Sequence, residues 1–110
     1  MGRAYVANYG DNSVTVIDTE MDRAIATVPA GNRPQAIAFD AARNLVLVAN
    51  THDDIVTVMD GSTYIVLEKV PAGKHPYALA VDSDSDSLYV ADLEGDRPFT
   101  IVPLPGIRKP

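Results

Sequence analysis

Val28-Pro29-Ala30-Gly31-Asn32-Arg33-Pro34-Gln35-Ala36-Ile37-Ala38-Phe39-Asp40 decides the fold, because the chain writes it twice. Forty-two residues on stands Val70-Pro71-Ala72-Gly73-Lys74-His75-Pro76-Tyr77-Ala78-Leu79-Ala80-Val81-Asp82. The same shift, without a gap, carries Val6-Ala7-Asn8 onto Val48-Ala49-Asn50, Val14-Thr15-Val16 onto Val56-Thr57-Val58, and Asp18 onto Asp60. A second shift carries Tyr5-Val6-Ala7 onto Tyr89-Val90-Ala91. The third copy then drifts by one residue, and Phe99-Thr100-Ile101-Val102 takes the place of Val14-Thr15-Val16-Ile17.

Each copy reads as four short strands, A to D in chain order. Strand A is Ala36 to Phe39 and Ala78 to Val81. Strand B is Ala4 to Ala7, Leu45 to Ala49 and Leu88 to Ala91. Strand C is Val14 to Ile17, Val56 to Met59 and Phe99 to Val102. Strand D is Ala24 to Val28 and Ile65 to Val70. These stretches are rich in Val, Ile and Tyr and are punctuated by Gly, Pro, Asn, Asp and Ser. Leu45-Val46-Leu47-Val48 is continuously apolar, which predicts a strand covered on both faces. Four antiparallel strands in a period of about 40–45 residues predict β-propeller blades. The expected fold is therefore all-β, with blades in the order BCD, ABCD, ABC and an incomplete ring. The propeller segment is expected over 1–102, with blade boundaries near 32–35 and 74–77 and a Pro-rich tail over 103–110. Val48, Val58, Ile37 and Leu79 are the expected core.

The repeat resembles the YVTN family of β-propeller repeats. Tyr5-Val6-Ala7-Asn8, Asn12-Ser13-Val14-Thr15-Val16-Ile17-Asp18 and Ile25-Ala26-Thr27-Val28 with Gly31 and Pro34 carry the resemblance. The second copy repeats it at Val48-Ala49-Asn50, Val56-Thr57-Val58-Met59-Asp60, Gly73 and Pro76, and the third at Tyr89-Val90-Ala91-Asp92. The resemblance implies a ring, commonly of seven blades, with strand A innermost, and a location outside the cytoplasm, periplasmic or at the cell surface. It implies that the D-to-A and B-to-C loops share one face, where ligands bind, and that the A-to-B and C-to-D turns share the other. Similar blades occur in cell-surface proteins, lactonase-like propellers and haem- or quinone-linked redox proteins.

A chain of 110 residues is short for this fold, since even four blades of this repeat need about 170. Three explanations stand: a fragment of a longer protein, self-assembly into a ring, or an open stack. Hydrophobic residues make up 46% and charged residues 22%, a globular composition that excludes disorder. The net charge of -6 with scattered Lys and Arg argues against nucleic acid, which requires a basic stripe. No apolar run approaches the ~20 residues that span a bilayer, so no membrane insertion is expected. Met1-Gly2-Arg3 leads straight into strand B with no signal-peptide h-region; an exported form would be mature or truncated. Without cysteine there is no disulfide or thiolate chemistry.

The candidate ligand-binding residues lie in the channel-mouth loops. Arg33 and His75 occupy one repeat position between Gly and Pro. Proline disfavours a helical conformation in the residue before it, so both are expected to be extended. Arg33 suits a carboxylate or phosphate, and His75 a proton or a metal. Gln35 and Tyr77 follow the prolines. Asn8 and Asn50, with Asp92 in the third copy, open the B-to-C loops, where Asx side chains bond turn N–H groups. His52-Asp53-Asp54 has metal-ligand residue types without metal-ligand spacing. Asp82 to Ser87 begins like a calcium loop, but Ser87 stands where an EF-hand needs Gly and Leu93 where it needs Glu. It reads as a solvated hairpin turn, and no metal or cofactor is expected.

No catalytic motif appears: no Gly-x-Ser-x-Gly, no phosphate loop, no Rossmann glycines. The expected function is a non-enzymatic propeller segment acting as an interaction or structural scaffold. Its expected partners are the remaining blades, further copies of itself or another protein. The alternative is a piece of a lactonase-like or redox propeller enzyme whose catalytic residues lie in other blades. An adjoining Cys-x-x-Cys-His would favour that alternative.

Overall fold

A computed structural model describes residues 2–94 and 98–104. It holds ten strands: β1 Arg3–Asn8, β2 Ser13–Asp18, β3 Arg23–Pro29, β4 Pro34–Asp40, β5 Leu45–Asn50, β6 Ile55–Asp60, β7 Val66–Pro71, β8 Lys74–Asp82, β9 Ser87–Glu94 and β10 Phe99–Pro103. They form three antiparallel sheets, β1-β2-β3, β4-β5-β6-β7 and β8-β9-β10. These are the expected BCD, ABCD and ABC blades, and among the described residues there is no helix. The sheets change hands at 30–33 and 72–73. β10 includes Pro103, and Leu104 beyond it is buried. The rest of the tail and part of the third B-to-C loop, 95–97, lie outside the described residues.

The repeat is written in the backbone as well as in the side chains. Among the described residues, eight non-glycine residues have positive φ, in four repeat-equivalent pairs: Asn12 and Asp54, Asp22 and Tyr64, Arg33 and His75, Asn44 and Asp86. Each pair marks one kind of turn. Asn and Asp tolerate the left-handed region, while Tyr64, Arg33 and His75 are held there against its cost. The sheet bulges repeat too. Register slips between Val16 and Ile17 and again between Val58 and Met59, then between Pro34 and Ala36 and again between Pro76 and Ala78. Asp side chains close the lower turns. Asp18 Oδ1 accepts from Glu20 N at 2.9 Å, Asp60 Oδ1 from Ser62 N at 2.7 Å, Asp40 Oδ1 from Ala42 N at 3.1 Å and Asp82 Oδ1 from Asp84 N at 3.1 Å. Asp82–Ser87 is thus a hairpin turn equivalent to the one after Asp40.

The sheets stack face to face, and the core lies in two seams. In the first, Val14 and the half-buried Tyr5 and Val28 of the first sheet meet Val46, Val48 and Met59 of the second. In the second, Leu45, Leu47, Val56 and Val58 meet Leu88, Val90 and Val102 of the third sheet, with Leu104 filling the end. Every residue of β5 is buried, because both faces of its sheet are covered. Val48 and Val58 are core residues as expected. Ile37 and Leu79 are only half buried, one against each seam. They lie on the first strand of their sheets, at its edge, where one flank stays open.

The outer sheets have one uncovered face each. Tyr89 and Ile101 hold the positions of Leu47 and Val58, and Phe99 that of Val56 after the one-residue drift. All three are exposed, whereas their counterparts are fully buried. Val6, equivalent to the buried Val48, is 42% exposed on the first sheet. Burial, not residue type, separates these pairs. Leu47→Ala is therefore expected to cost about 2–5 kcal/mol in urea unfolding. In monomeric protein Tyr89→Ala should cost under about 1 kcal/mol. Equal losses would show that the third sheet is covered in solution.

Candidate functional site

The loops after β1, β3, β5 and β7 converge on one face, and hydrogen bonds fix how. Ala30 N donates to Asn12 O at 3.0 Å, and Arg33 N to Asn12 Oδ1 at 2.9 Å. The next copy repeats this: Ala72 N donates to Asp54 O at 2.9 Å, and His75 N to Asp54 Oδ1 at 2.9 Å. Thr51 N in turn donates to Arg33 O at 3.0 Å. These bonds turn Arg33 to φ 60° and His75 to φ 54°. The expected extended conformation is therefore wrong for both residues. The local preference set by the following proline yields to an acceptor supplied by the neighbouring blade.

Asn8 and Asn50 face inward. Asn50 is fully buried; its Nδ2 donates to Thr57 Oγ1 at 2.7 Å, and its Oδ1 accepts from Gly31 N at 2.9 Å. Asn8 Nδ2 donates to Thr15 Oγ1 at 2.8 Å, and Thr100 donates to Asp92 Oδ2 at 2.6 Å in the third copy. A Cβ at Gly31 would run into the Asn50 amide, and one at Gly73 into the Asp92 carboxylate, so both positions require glycine. Asp92 Oδ1 is buried and has no hydrogen-bond partner among the described residues.

Gln35 and Tyr77 sit at the two equivalent bulges, between paired residues, where a bulge re-aims the side chain. Both are exposed. Thr51 Oγ1 lies 2.7 Å from Gln35 Oε1 and 2.9 Å from the Pro76 carbonyl oxygen. Its single hydrogen serves one of these acceptors at a time.

The structure also assembles a row that the sequence reading missed. The Arg33 guanidinium carbon lies 5.3 Å from the centre of the Tyr9 ring. Tyr9 meets His52 edge-on at 6.2 Å, and His52 stacks on His75 at 5.9 Å. His75 Nδ1 lies 3.6 Å from Glu94 Oε2. The row crosses all three blades and carries the Arg33 guanidinium at one end and the Glu94 carboxylate at the other. It is suited to holding a small charged or planar group by ion pairing and stacking. The signal was present in the sequence: Gly10, His52 and Glu94 share one repeat position, beside the loop of Arg33 and His75. His52, Asp53 and Asp54 do not converge. Asp53 Oδ2 accepts from Asn32 N at 2.7 Å, Asp54 turns to His75 N, and His52 joins the row. Among the described residues no three His, Cys, Asp or Glu side chains are grouped to hold a metal.

No protein-family model matches the sequence, and no curated protein matches it. Solved structures do. The chain is similar to hydrazine synthase of Kuenenia stuttgartiensis (TM-score 0.78, 23% identity, 82% of this chain and 26% of that one). It is similar to dihydro-heme d1 dehydrogenase NirN (TM-score 0.78, 25% identity, 94% of this chain and 22% of that one). It is similar to Sqt1 of Saccharomyces cerevisiae (TM-score 0.74, 13% identity, 86% of this chain and 27% of that one). The chain thus spans about a quarter of the length of the proteins it resembles. With these β-propeller neighbours, the three stacked sheets are a partial β-propeller.

The loop geometry sets an order of stabilities. Asn12→Gly removes the acceptor for Arg33 N and should cost about 1 kcal/mol. Asn12→Ala also keeps a Cβ in the left-handed region without the asparagine amide that makes it tolerable, and should cost about 1 kcal/mol more. His75→Gly should fall within about 1 kcal/mol of the parent, since eased strain offsets the added entropy of the unfolded chain. Urea melts in which His75→Gly proved the worst of the three would contradict this account.

Proposed function

We propose that this chain is a segment of a YVTN-type β-propeller that serves as a non-enzymatic scaffold, with blades of the same repeat covering its two open faces. One observation carries the reading: Tyr89, Phe99 and Ile101 lie exposed at positions that are fully buried in the second seam. The face they form is the kind that accepts Val46, Val48 and Met59 in the first seam. The opposite end of the chain offers that complementary kind of face, with Ala4, Val6 and Ile17. The two ends therefore suit each other, but only between molecules. Such a contact is head-to-tail and closes a ring when the rotations sum to a full turn. For the isolated chain the occupant is a second copy, and two chains bring six blades.

The alternative, a fragment of a propeller enzyme, draws support from the His52–His75 stack beside Glu94 and from the names of two neighbours, a synthase and a dehydrogenase. It requires turnover by the completed ring to depend on His52 or His75. The scaffold reading requires no such dependence.

Light scattering at increasing concentration tests the proposal. The expected outcome is a mass above that of the 11.8 kDa monomer and a melting temperature that rises with concentration. Ile101→Glu and Val6→Glu should each return the chain to monomer, because each puts a charge in a buried seam. A monodisperse monomer at high micromolar concentration, with a concentration-independent melt, would overturn it in favour of an open stack.

A further inference from the structure

The two seams are built from the same repeat, so each is a control for the other. At the lower end of the second seam, Leu45, Leu47, Val81 and Leu104 pack into continuous core. Equivalent places in the first seam hold Arg3, Tyr5, Phe39 and Gly61. Backbone bonds confirm the match: Leu104 N donates to Asp86 O at 3.0 Å, and Gly61 N to Asn44 O at 2.8 Å. The exchange opens a cavity of about 460 Å³ bounded by those four residues with Asn44, Ser62 and Tyr64. That volume lies within the usual range for small-molecule sites.

The walls are built in a way that filling or drift does not explain. Tyr5 and Phe39 stack at 5.9 Å with their planes 19° apart, giving an aromatic side. Arg3 Nε donates to Tyr64 OH at 3.0 Å, and Nη1 donates to Gly2 O at 3.1 Å, which fixes the guanidinium at the cavity wall. Its acidic neighbour Asp18 stands off, with Oδ2 at 3.9 Å, while the other oxygen, Oδ1, accepts from Glu20 N and Met21 N. Asn44 Nδ2 donates to Ser62 Oγ at 2.8 Å, closing the rim.

We propose that this cavity is a binding site for a small planar aromatic carboxylate, ion-paired with Arg3 and packed on the Tyr5–Phe39 wall. A guanidinium fork matches a carboxylate in two bonds, and an aromatic wall favours a flat ring over an aliphatic chain. Burial pushes the Tyr5 phenol above its ordinary pKa, so it stays neutral and does not compete for the guanidinium. The Tyr64 hydroxyl raises the Arg3 pKa further, so the charge persists at any working pH.

The test titrates the full chain with indole-3-carboxylate, the neutral indole-3-methanol and acetate, following the Tyr5 and Phe39 resonances by NMR. Saturable binding of the aromatic carboxylate is expected, with both controls weaker by about tenfold or more. Arg3→Gln should remove the preference over indole-3-methanol. Phe39→Leu should weaken the aromatic carboxylate without changing acetate. Thermal melts of both variants confirm folding, and either variant alone suffices to test the site. Equal binding of the neutral alcohol, insensitivity to Arg3→Gln, or no saturation by about 10 mM would each overturn the assignment.

Discussion

A sheet with two apolar faces needs a neighbour on each side, and every sheet of this chain is of that kind. That requirement organises the rest. The middle sheet meets it fully, which is why all of β5 is buried although Leu45-Val46-Leu47-Val48 has no polar alternation. The outer sheets meet it once each. In β9 the burial alternates, with Leu88 and Val90 inside and Tyr89 outside, although Leu88-Tyr89-Val90-Ala91 has no polar alternation either. Identical repeat positions thus take opposite environments according to what lies next to them.

Stacking demands that the loops hold each sheet at a fixed angle to the next, and the left-handed residues do this. Asn12 and Asp54 each leave one sheet and accept a backbone donor at the start of the next, at Arg33 and His75. On the lower face Arg43 spans the second seam, pairing with Asp40 at 2.9 Å and with Asp86 of the third sheet. Hydrogen bonds at both rims and apolar burial between them make each seam resist sliding. The strain at Arg33 and His75 is tolerated because an acceptor on the neighbouring blade, Asn12 or Asp54, fixes each backbone N–H from outside.

Most of the fold was legible because its signals are local. Gly, Pro, Asn and Asp punctuate each strand within a residue or two of its true end, and the repeat ties the strands into blades. What was not legible depends on neighbours distant in sequence. Proline next to Arg33 speaks for an extended backbone, and only Asn12, twenty-one residues away, overrules it. Ile37 looks as buried as Val48 by type, but it lies on a strand with an open flank. The His52–His75 stack joins two loops of different blades, and its signal shows only when position 52 is compared across copies, not from spacing within one. Gln35 and Tyr77 were picked out by their place after proline, while the reason they project, a bulge, shows only in the register.

A repeat protein offers a test that a single-copy fold does not: each copy is a reference for the others. Agreement between copies marks architecture, as with the Asn–Thr pair of β1–β2 that recurs in β5–β6. Disagreement has two forms, and the surroundings separate them. Where Asp92 replaces Asn50, the partner Thr100 is kept, but Oδ1 is left buried without a donor among the described residues; the Asn50 oxygen takes Gly31 N. An unsatisfied buried acceptor costs stability and offers nothing in return, so this departure reads as decay of the third copy. Where Arg3, Tyr5, Phe39 and Gly61 replace a leucine-rich core, the guanidinium that enters is held by Tyr64 and Gly2 and a half-open space remains. Decay does not place a guanidinium against a tyrosine hydroxyl beside two stacked rings. The first kind of departure weakens the end of the array, and the second gives the first seam a chemistry that the second seam lacks.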